Sequence, residues 1–340
     1  YSQGETGRAE KGTNEDKDGY DAEVARRYSE INAEAILTYQ TDLTSDLKLS
    51  LNGGMNTLKR VRNTVVGELT GGLELPGLFT LSNVKANTTP NIDSDYFEQR
   101  INSVLGFGQL SYKSYAFLDF SGRNDWSSLL PAKNNSFFYP AVSGSFVLSE
   151  VLGLQNAKVN YVKLRAGWSK VGGTGRLDEY STNKTFNLAN NNFGTQSSVP
   201  NTQWNPNIKP EQTIGTEFGV DVNAYNNRVR LAATYYSQKS SDLILALQVE
   251  AASGFTSSWE NAGEMTNKGI ELQLGLTPIK TDNFSFDIDL NFAKNKNEVT
   301  SLGGADSYTL GGQWGMELQA IPGQAYGSIV GFPYARTESG

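Results

Sequence analysis

The sequence predicts an all-β protein, an antiparallel up-and-down β-barrel of the kind that crosses a membrane. Three features of the sequence predict it. Apolar and polar residues alternate with period two in segment after segment, the connections between segments are short and long by turns, and aromatic residues gather near both ends of the segments. Period-two alternation puts one face of a strand in an apolar medium and the other in water. Tight turns on one side and long loops on the other are the rhythm of an outer-membrane barrel, with the long loops outside.

The clearest strand holds Phe284, Phe286, Ile288, Leu290 and Phe292, interleaved with Ser285, Asp287, Asp289 and Asn291. Before it, Ile270, Leu272, Leu274 and Leu276 alternate with Glu271, Gln273, Gly275 and Thr277. The same pattern runs through Thr216, Phe218, Val220 and Val222, through Val229, Leu231, Ala233 and Tyr235, and through Val162, Leu164, Ala166 and Trp168. A shorter run holds Ala116, Leu118 and Phe120, and less regular strands are expected near 30–41, 46–55, 100–112 and 137–149. A last strand begins near Tyr326, and the patch from Ala22 to Arg27 holds one helical turn at most. This makes about 10–11 strands.

The connections at 41–45, 113–114, 226–227 and 281–283 are short, and Asn226-Asn227 suits the positive φ of a two-residue turn. The join at 150–158 is modest. The segments 56–99, 126–136, 170–211, 250–266 and 298–324 read as longer loops. Tyr112, Tyr115, Tyr139, Tyr225 and Phe284 are expected near the short turns, with Trp126, Trp168 and Tyr235 toward the other ends, as two interfacial girdles.

Composition narrows the functions open to such a fold. The 340 residues include no Cys and no His, which removes thiol nucleophiles, Cys/His zinc sites and His-based triads. A net charge of −7 without a basic patch argues against nucleic acid as a partner. The mean hydropathy of −0.44 excludes membrane helices but not a barrel, whose lumen-facing residues dilute the apolar signal. The main alternative is a soluble β-sandwich, a glycan-binding or adhesin-like surface protein, which shares the alternation but explains the loop rhythm poorly.

An ordered series of motifs carries a family likeness. Gly106-Phe-Gly-Gln-Leu-Ser-Tyr-Lys113 is followed by Phe117-Leu-Asp-Phe-Ser-Gly-Arg-Asn-Asp-Trp-Ser-Ser128 and by Phe138-Tyr-Pro-Ala-Val-Ser-Gly-Ser-Phe146. Then come Val162-Lys-Leu-Arg-Ala-Gly-Trp-Ser169, Asn205-Pro-Asn-Ile-Lys-Pro-Glu211, Thr216-Glu-Phe-Gly-Val-Asp221, Tyr235-Tyr-Ser-Gln-Lys239 with Asp242-Leu243, and Asn261-Ala-Gly-Glu-Met-Thr-Asn-Lys-Gly-Ile-Glu271. Ile321-Pro-Gly-Gln-Ala-Tyr-Gly-Ser-Ile-Val-Gly331 closes the series. Together these residues resemble the SusC-like (SusC/RagA-type) family of TonB-dependent outer-membrane transporters. The resemblance implies a 22-stranded barrel around an internal plug, a SusD-like surface lipoprotein as lid, a TonB complex as energy source, and oligosaccharides or peptides as substrates. The plug, the TonB box and the final strands of that family find no counterpart in these residues, and Tyr1 opens no signal peptide. Residues 1–340 therefore read as one partial TonB-dependent receptor barrel domain, truncated at both ends and too short to close or transport alone.

Candidate sites follow from residue type. Trp204, Trp259 and Trp314 fall in expected long loops and are the candidates for ligand or lid contact, since exposed Trp stacks on sugars and anchors partners. Asp119, Glu217, Asp221, Glu271, Asp287 and Asp289 raise the possibility of a glycosidase-like carboxylate pair, but all sit on the polar face of strands, where lining a lumen is the simpler role. Asn14-Glu-Asp-Lys-Asp-Gly19 matches the first half of a calcium loop, yet Ala25 stands where a bidentate acid is needed, so a solvated acidic loop is the better reading. Gly172-Gly-Thr-Gly175 fits no phosphate-binding spacing and reads as a loop. No catalytic residue, metal site or cofactor is expected.

Overall fold

The computed structural model describes residues 2–10, 21–69, 72–75, 78, 80–86, 88–154, 158–191 and 194–331, without the side chains of 2–10, 21, 22 and 189–191. Asn14 to Gly19, the half calcium loop, lies outside the described residues. The strands are β1 (Ser2–Glu10), β2 (Asp21–Asp42), β3 (Leu47–Glu68), β4 (Asn91–Tyr112), β5 (Ala116–Ser127), β6 (Ser136–Val147) and β7 (Val159–Gly173). They continue as β8 (Asn187–Asn191), β9 (Gly194–Ser198), β10 (Thr202–Gln203), β11 (Glu211–Ala224), β12 (Val229–Gln248), β13 (Ser257–Lys280) and β14 (Ser285–Leu302). The last are β15 (Tyr308–Gln313), β16 (Met316–Ala320) and β17 (Ser328–Gly331); one short helix, α1, spans Leu148–Leu152.

A single 12-stranded sheet follows the order β1-β2-β3-β4-β5-β6-β7-β11-β12-β13, with β14 also on β13 and the two-residue β10 parallel to the start of β13. Except for β10, successive members are chain neighbours apart from the step from β7 to β11, which skips the elements of one long connection. Packing divides the chain into two compact units, residues 1–35 with 56–102 and residues 36–55 with 103–340. In the first, β1 and β2 form a hairpin, and the connection 69–90 folds on itself. There Leu69 and Leu73 are fully buried, and the Asn83 amide donates to the Leu75 and Leu78 carbonyls.

The second unit holds the alternating strands, and their register sorts the side chains cleanly. On one face, Leu118, Gly144, Ala166, Phe218, Tyr235 and Ile270 stand in one cross-strand row. Below them, on the last four strands, lie Val222, Leu231, Leu274 and Leu290. On the other face the row is Asp119, Ser143, Gly167, Glu217, Tyr236, Gly269 and Asn295. The large apolar side chains of the first face are open to the surroundings, Phe218 by 60%, Phe138 by 57% and Phe292 by 56%. A sandwich would cover that face with a second sheet. Among the described residues none does, which sets the sandwich alternative aside.

The short turns form as the sequence suggests. Lys113 and Ser114 join β4 to β5 at φ 47° and 60°, and Asn226 and Asn227 sit at 55° and 64° between β11 and β12. The longer connections differ from expectation. The expected loop 56–99 shrinks to 69–90, since β3 runs on to Glu68 and β4 begins at Asn91; 250–266 shrinks to 249–256, with a 3-10 turn at Ala251–Ser253. The segment 170–211 contains the β8–β9 hairpin and β10, and 298–324 begins as strand up to Leu302 before the β15–β16–β17 sheet. The last strand, β17, belongs to that three-stranded sheet, and Ala22 to Arg27 is strand, not a helical turn. The physical reason is common to these: beyond the apolar band neither face meets lipid, so pairing continues while the alternation that betrays it lapses.

Tyr112 and Tyr115 meet edge to face at 5.5 Å beside the 113–114 turn, and Tyr115 meets Phe146 at the same distance. Tyr225 and Phe284 are exposed beside their turns, and Trp126 and Trp168 are exposed toward the other ends of their strands; Tyr235, also exposed, lies instead in the half of β12 nearer the Asn226-Asn227 turn, because β12 runs on to Gln248. Tyr139 corrects the girdle pattern. It lies at the loop end of β6 and donates its hydroxyl to Asp125, which also pairs with Arg123 at 2.7 Å, so it serves the polar face.

The two faces predict opposite responses to one substitution. Leu290→Arg, on the apolar face, is expected to destabilise the membrane-inserted full-length protein by about 2–4 kcal/mol, the penalty for Arg at mid-bilayer. Asn291→Arg, one residue on, is expected to change it by under about 0.5 kcal/mol. Denaturant titration in lipid measures both, and equal penalties would contradict the assignment of faces.

Candidate functional site

The polar face of the second unit carries a shallow recess of about 380 Å³. Its floor is a run of small residues, Ala141, Ser143, Gly167, Ser169 and Gly215, on three adjacent strands. Gln238 and Glu217 stand on one side and Asp119 on the other, where Asp119 accepts a hydrogen bond from the Gln109 amide at 2.7 Å. Small side chains make the hollow; the flanking amides, hydroxyls and carboxylates make it suited to hydroxyl- or amide-rich solutes.

Toward the short turns the face is lined by ion pairs laid flat on glycines. Arg165 reaches Asp221 at 3.1 Å and donates to the Thr234 hydroxyl at 3.0 Å. A Cβ at Gly219 would lie 2.7 Å from the guanidinium carbon of Arg165, so only glycine leaves room for that arginine to lie across the strand. Arg230 does the same over Gly275, between Thr277 and Asp289. The acidic residues singled out in the sequence are therefore spread along the wall. Asp119, Asp221 and Asp289 each contact a donor, and Asp287 accepts from the Thr277 and Ser285 hydroxyls. Among the described residues, no group of three or more acidic side chains is gathered closely enough to hold a metal ion.

At the long-loop end, the segment from Asn205 to Glu211 is clamped on all sides. The Asn134 amide donates to the carbonyls of Asn207 and Ile208, and Asn205 donates to the Trp259 carbonyl. Asn261 exchanges two bonds of 2.8 Å with the Lys209 backbone and donates to the Asp242 carbonyl at 2.8 Å. Asp242 sits at φ 56° where β12 bulges, and Ile208 and Ile244 are fully buried with Leu130 and Leu177. Glu211 accepts the Ile244 N–H at 2.8 Å, over Gly175, where a side chain would collide with the carboxylate. Burial raises the Glu211 pKa above the ordinary carboxylate value, opposed by that backbone bond. None of Asn134, Ile208, Glu211, Asp242 or Asn261 is a candidate site from residue type alone, although most lie in motifs that carry the family likeness.

The three tryptophans are not brought together. Trp204 is partly buried, edge to face with Phe255 at 5.8 Å, with Lys184 above its ring at 5.5 Å. Trp259 lies in β13, not in a loop, and packs on the cluster of Leu130, Leu177, Ile208 and Ile244. Trp314 is 91% exposed at the tip of the β15–β16 hairpin, at φ 50°.

A sheet with an exposed apolar face, a polar inner face, tight turns at one end and elaborated loops at the other defines the wall of an outer-membrane β-barrel. The family model for the TonB dependent receptor-like β-barrel matches residues 3–339, and the chain belongs to that family of Gram-negative outer-membrane proteins. It is 32% identical over 281 residues to TonB-dependent receptor P26 of Formosa agariphila, covering 81% of this chain and 28% of that protein. It is 28% identical over 223 residues to TonB-dependent receptor SusC of Bacteroides thetaiotaomicron, covering 62% of this chain and 22% of that one. The fold matches the RagAB peptide transporter with a TM-score of 0.80 at 23% identity, over 90% of this chain and 34% of that chain. The chain thus spans about a third or less of the length of these relatives.

Glu211 supplies a pH test of the rim. A carboxyl with a raised folded pKa stabilises its surroundings most at low pH, and that contribution is lost as pH rises through the folded value. Hydrogen exchange around Ile244 in the full-length protein is therefore expected to quicken as pH rises just above the usual carboxylate range, after correction for intrinsic exchange. Glu211→Gln removes that dependence. Glu211→Ala, which strands the Ile244 N–H, loosens the segment at every pH by about 1–3 kcal/mol.

Proposed function

We propose that this chain forms part of the wall and outer rim of a TonB-dependent importer of the SusC/RagA type, which passes oligosaccharides or peptides inward beneath a SusD-like surface lipoprotein. The observation that carries the proposal is the inner face: a hollow floored by Ala141, Ser143, Gly167, Ser169 and Gly215, lined by hydrogen-bonding groups together with aromatic Phe107, and backed by an apolar outer face. Such a wall binds polar oligomers weakly at many points, which suits passage better than retention. The peptide named for RagAB supports the peptide class. Energy through TonB and a mobile plug belong to the same proposal.

In this reading the clamp around residues 205–211 holds the outer rim rigid, and Trp259 is part of it. Trp314, at an exposed hairpin tip, and Trp204, beside Lys184, are the tryptophans we assign to contact with a lid or ligand.

Filling the hollow tests the proposal. A Cβ at Gly215 meets Ser169 and Gln238 at 3.5 and 3.7 Å, ordinary contacts, so Gly215→Phe is expected to insert normally while crowding the path. Uptake of labelled oligosaccharides and peptides by cells carrying the full-length protein should fall about tenfold for the transported class, equivalent to about 1.4 kcal/mol. Normal uptake of every polar oligomer that the unaltered protein imports would remove the hollow from the path.

A further inference from the structure

The outer face ends, on its long-loop side, in lysines that the transport reading does not use. On β13 the apolar series Leu276, Leu274, Leu272 and Ile270 is followed two residues on by Lys268; on β14 the series Phe286, Ile288, Leu290 and Phe292 is followed by Lys294 and Lys296. Lys268 and Lys296 are direct cross-strand partners on this face, and Lys294 faces Ile270 one step below. On β12, Lys239 faces Thr266, two residues from Lys268. The lysines therefore step toward the short turn by two residues per strand, from Lys239 to Lys268 to Lys294. The turns show the same stagger: Val229, the first residue of β12, pairs with Leu276, four residues before β13 ends at Lys280. The three lysines thus keep to one depth along tilted strands, at the upper edge of the apolar band.

Like charges placed directly opposite each other in a sheet destabilise it. Lys239 is neutralised by Glu264 at 3.0 Å and Lys296 by Glu298 at 3.0 Å. Lys268 and Lys294 are exposed and make no ion pair among the described residues. Beside them lie exposed Ile270, Leu272, Leu290 and Phe292. An ammonium with an apolar stem at this depth reaches up into the headgroup layer. Two adjacent uncompensated ammonium groups over apolar side chains, in a chain of net charge −7, match a ligand with phosphate above and acyl chains below.

We propose that Lys268 and Lys294, with Ile270 and Phe292 beneath, form a site for a phosphorylated glycolipid of the outer leaflet, its phosphate between the two lysines and its acyl chains along the apolar rows. The bound lipid removes the like-charge repulsion between β13 and β14 and fixes the barrel's depth in the membrane. The site faces lipid, so its failure would leave the transport reading untouched.

The test uses the full-length protein purified from outer membranes in mild detergent, with native mass spectrometry reading bound lipid. A phosphorylated lipid A, the same lipid after enzymatic removal of phosphate, and inorganic phosphate are added separately. The expected result is retention of the phosphorylated lipid alone, loss of that retention by about tenfold or more in Lys268→Gln/Lys294→Gln, and its preservation in Lys268→Arg/Lys294→Arg. Equal retention of the dephosphorylated lipid, unchanged retention in the Gln variant, or equal occupancy by inorganic phosphate would each overturn the proposal. If the Gln variant fails to assemble, comparison of the two lipids on the unaltered protein and on the Arg variant decides.

Discussion

The rest of this structure depends on one constraint: a backbone that crosses hydrocarbon must satisfy every N–H and C=O within the protein. Antiparallel pairing of chain neighbours does this without help from side chains; the β11–β12 register is continuous throughout, the β12–β13 register from Val229 to Ser240, and the β13–β14 register from Ile288 to Glu298. With the backbone settled, the side chains are free to divide by face. One face meets lipid and the other a polar interior, and the period of two follows from the pleat. Irregularities in the ladder fall where the hydrocarbon ends. The β12–β13 register slips around Asp242 and Leu243 at the rim, and the β13–β14 register slips between Leu276 and Ile279 near the short turn.

The polar face has a chemistry of its own. Charged side chains on a barrel wall are best held where a partner and a flat bed are available. Glycines at 219 and 275 supply the bed, and Asp221 and Asp289 supply the partner. Gly269 lies beneath the Tyr236 phenol in the same way. Each of these glycines sits one strand over from the long side chain that covers it. Removal of one Cβ thus lets a bulky group lie along the wall and keeps the lumen side open. The hollow around Gly215 is the converse case, where small residues on neighbouring strands have no long side chain laid over them.

Much of this was legible in the sequence, and the limits have a physical origin. The strands around Phe286, Leu274, Val220, Leu231 and Leu164 are found where the alternation places them, since each is solvated differently on its two faces. The outer halves of β3, β4 and β13 are not legible: residues 56–68, 91–99 and 257–266 pair as strand but lack a regular apolar–polar alternation, so their composition reads as loop. Tyr139 and Trp259 were misplaced for a related reason, because an aromatic near a strand end serves equally as interfacial anchor, loop contact or packing for the rim. The clamp of Asn134, Ile208, Glu211, Asp242 and Asn261 is built from contacts distant in sequence, and only the motifs of the family likeness pointed toward it.

The rim, the polar wall and the lysine edge all rest on the claim that the two faces of each strand see different media. Spin labels placed singly at each position from 285 to 296 in the full-length protein, reconstituted in lipid, test this most directly. Accessibility to oxygen and to a water-soluble relaxing agent would be recorded at every site. The account predicts that oxygen accessibility peaks at 286, 288, 290 and 292 and falls at the residues between, with water-soluble access rising on both faces from 294 onward. A flat profile, or one with a period near 3.6, would contradict it.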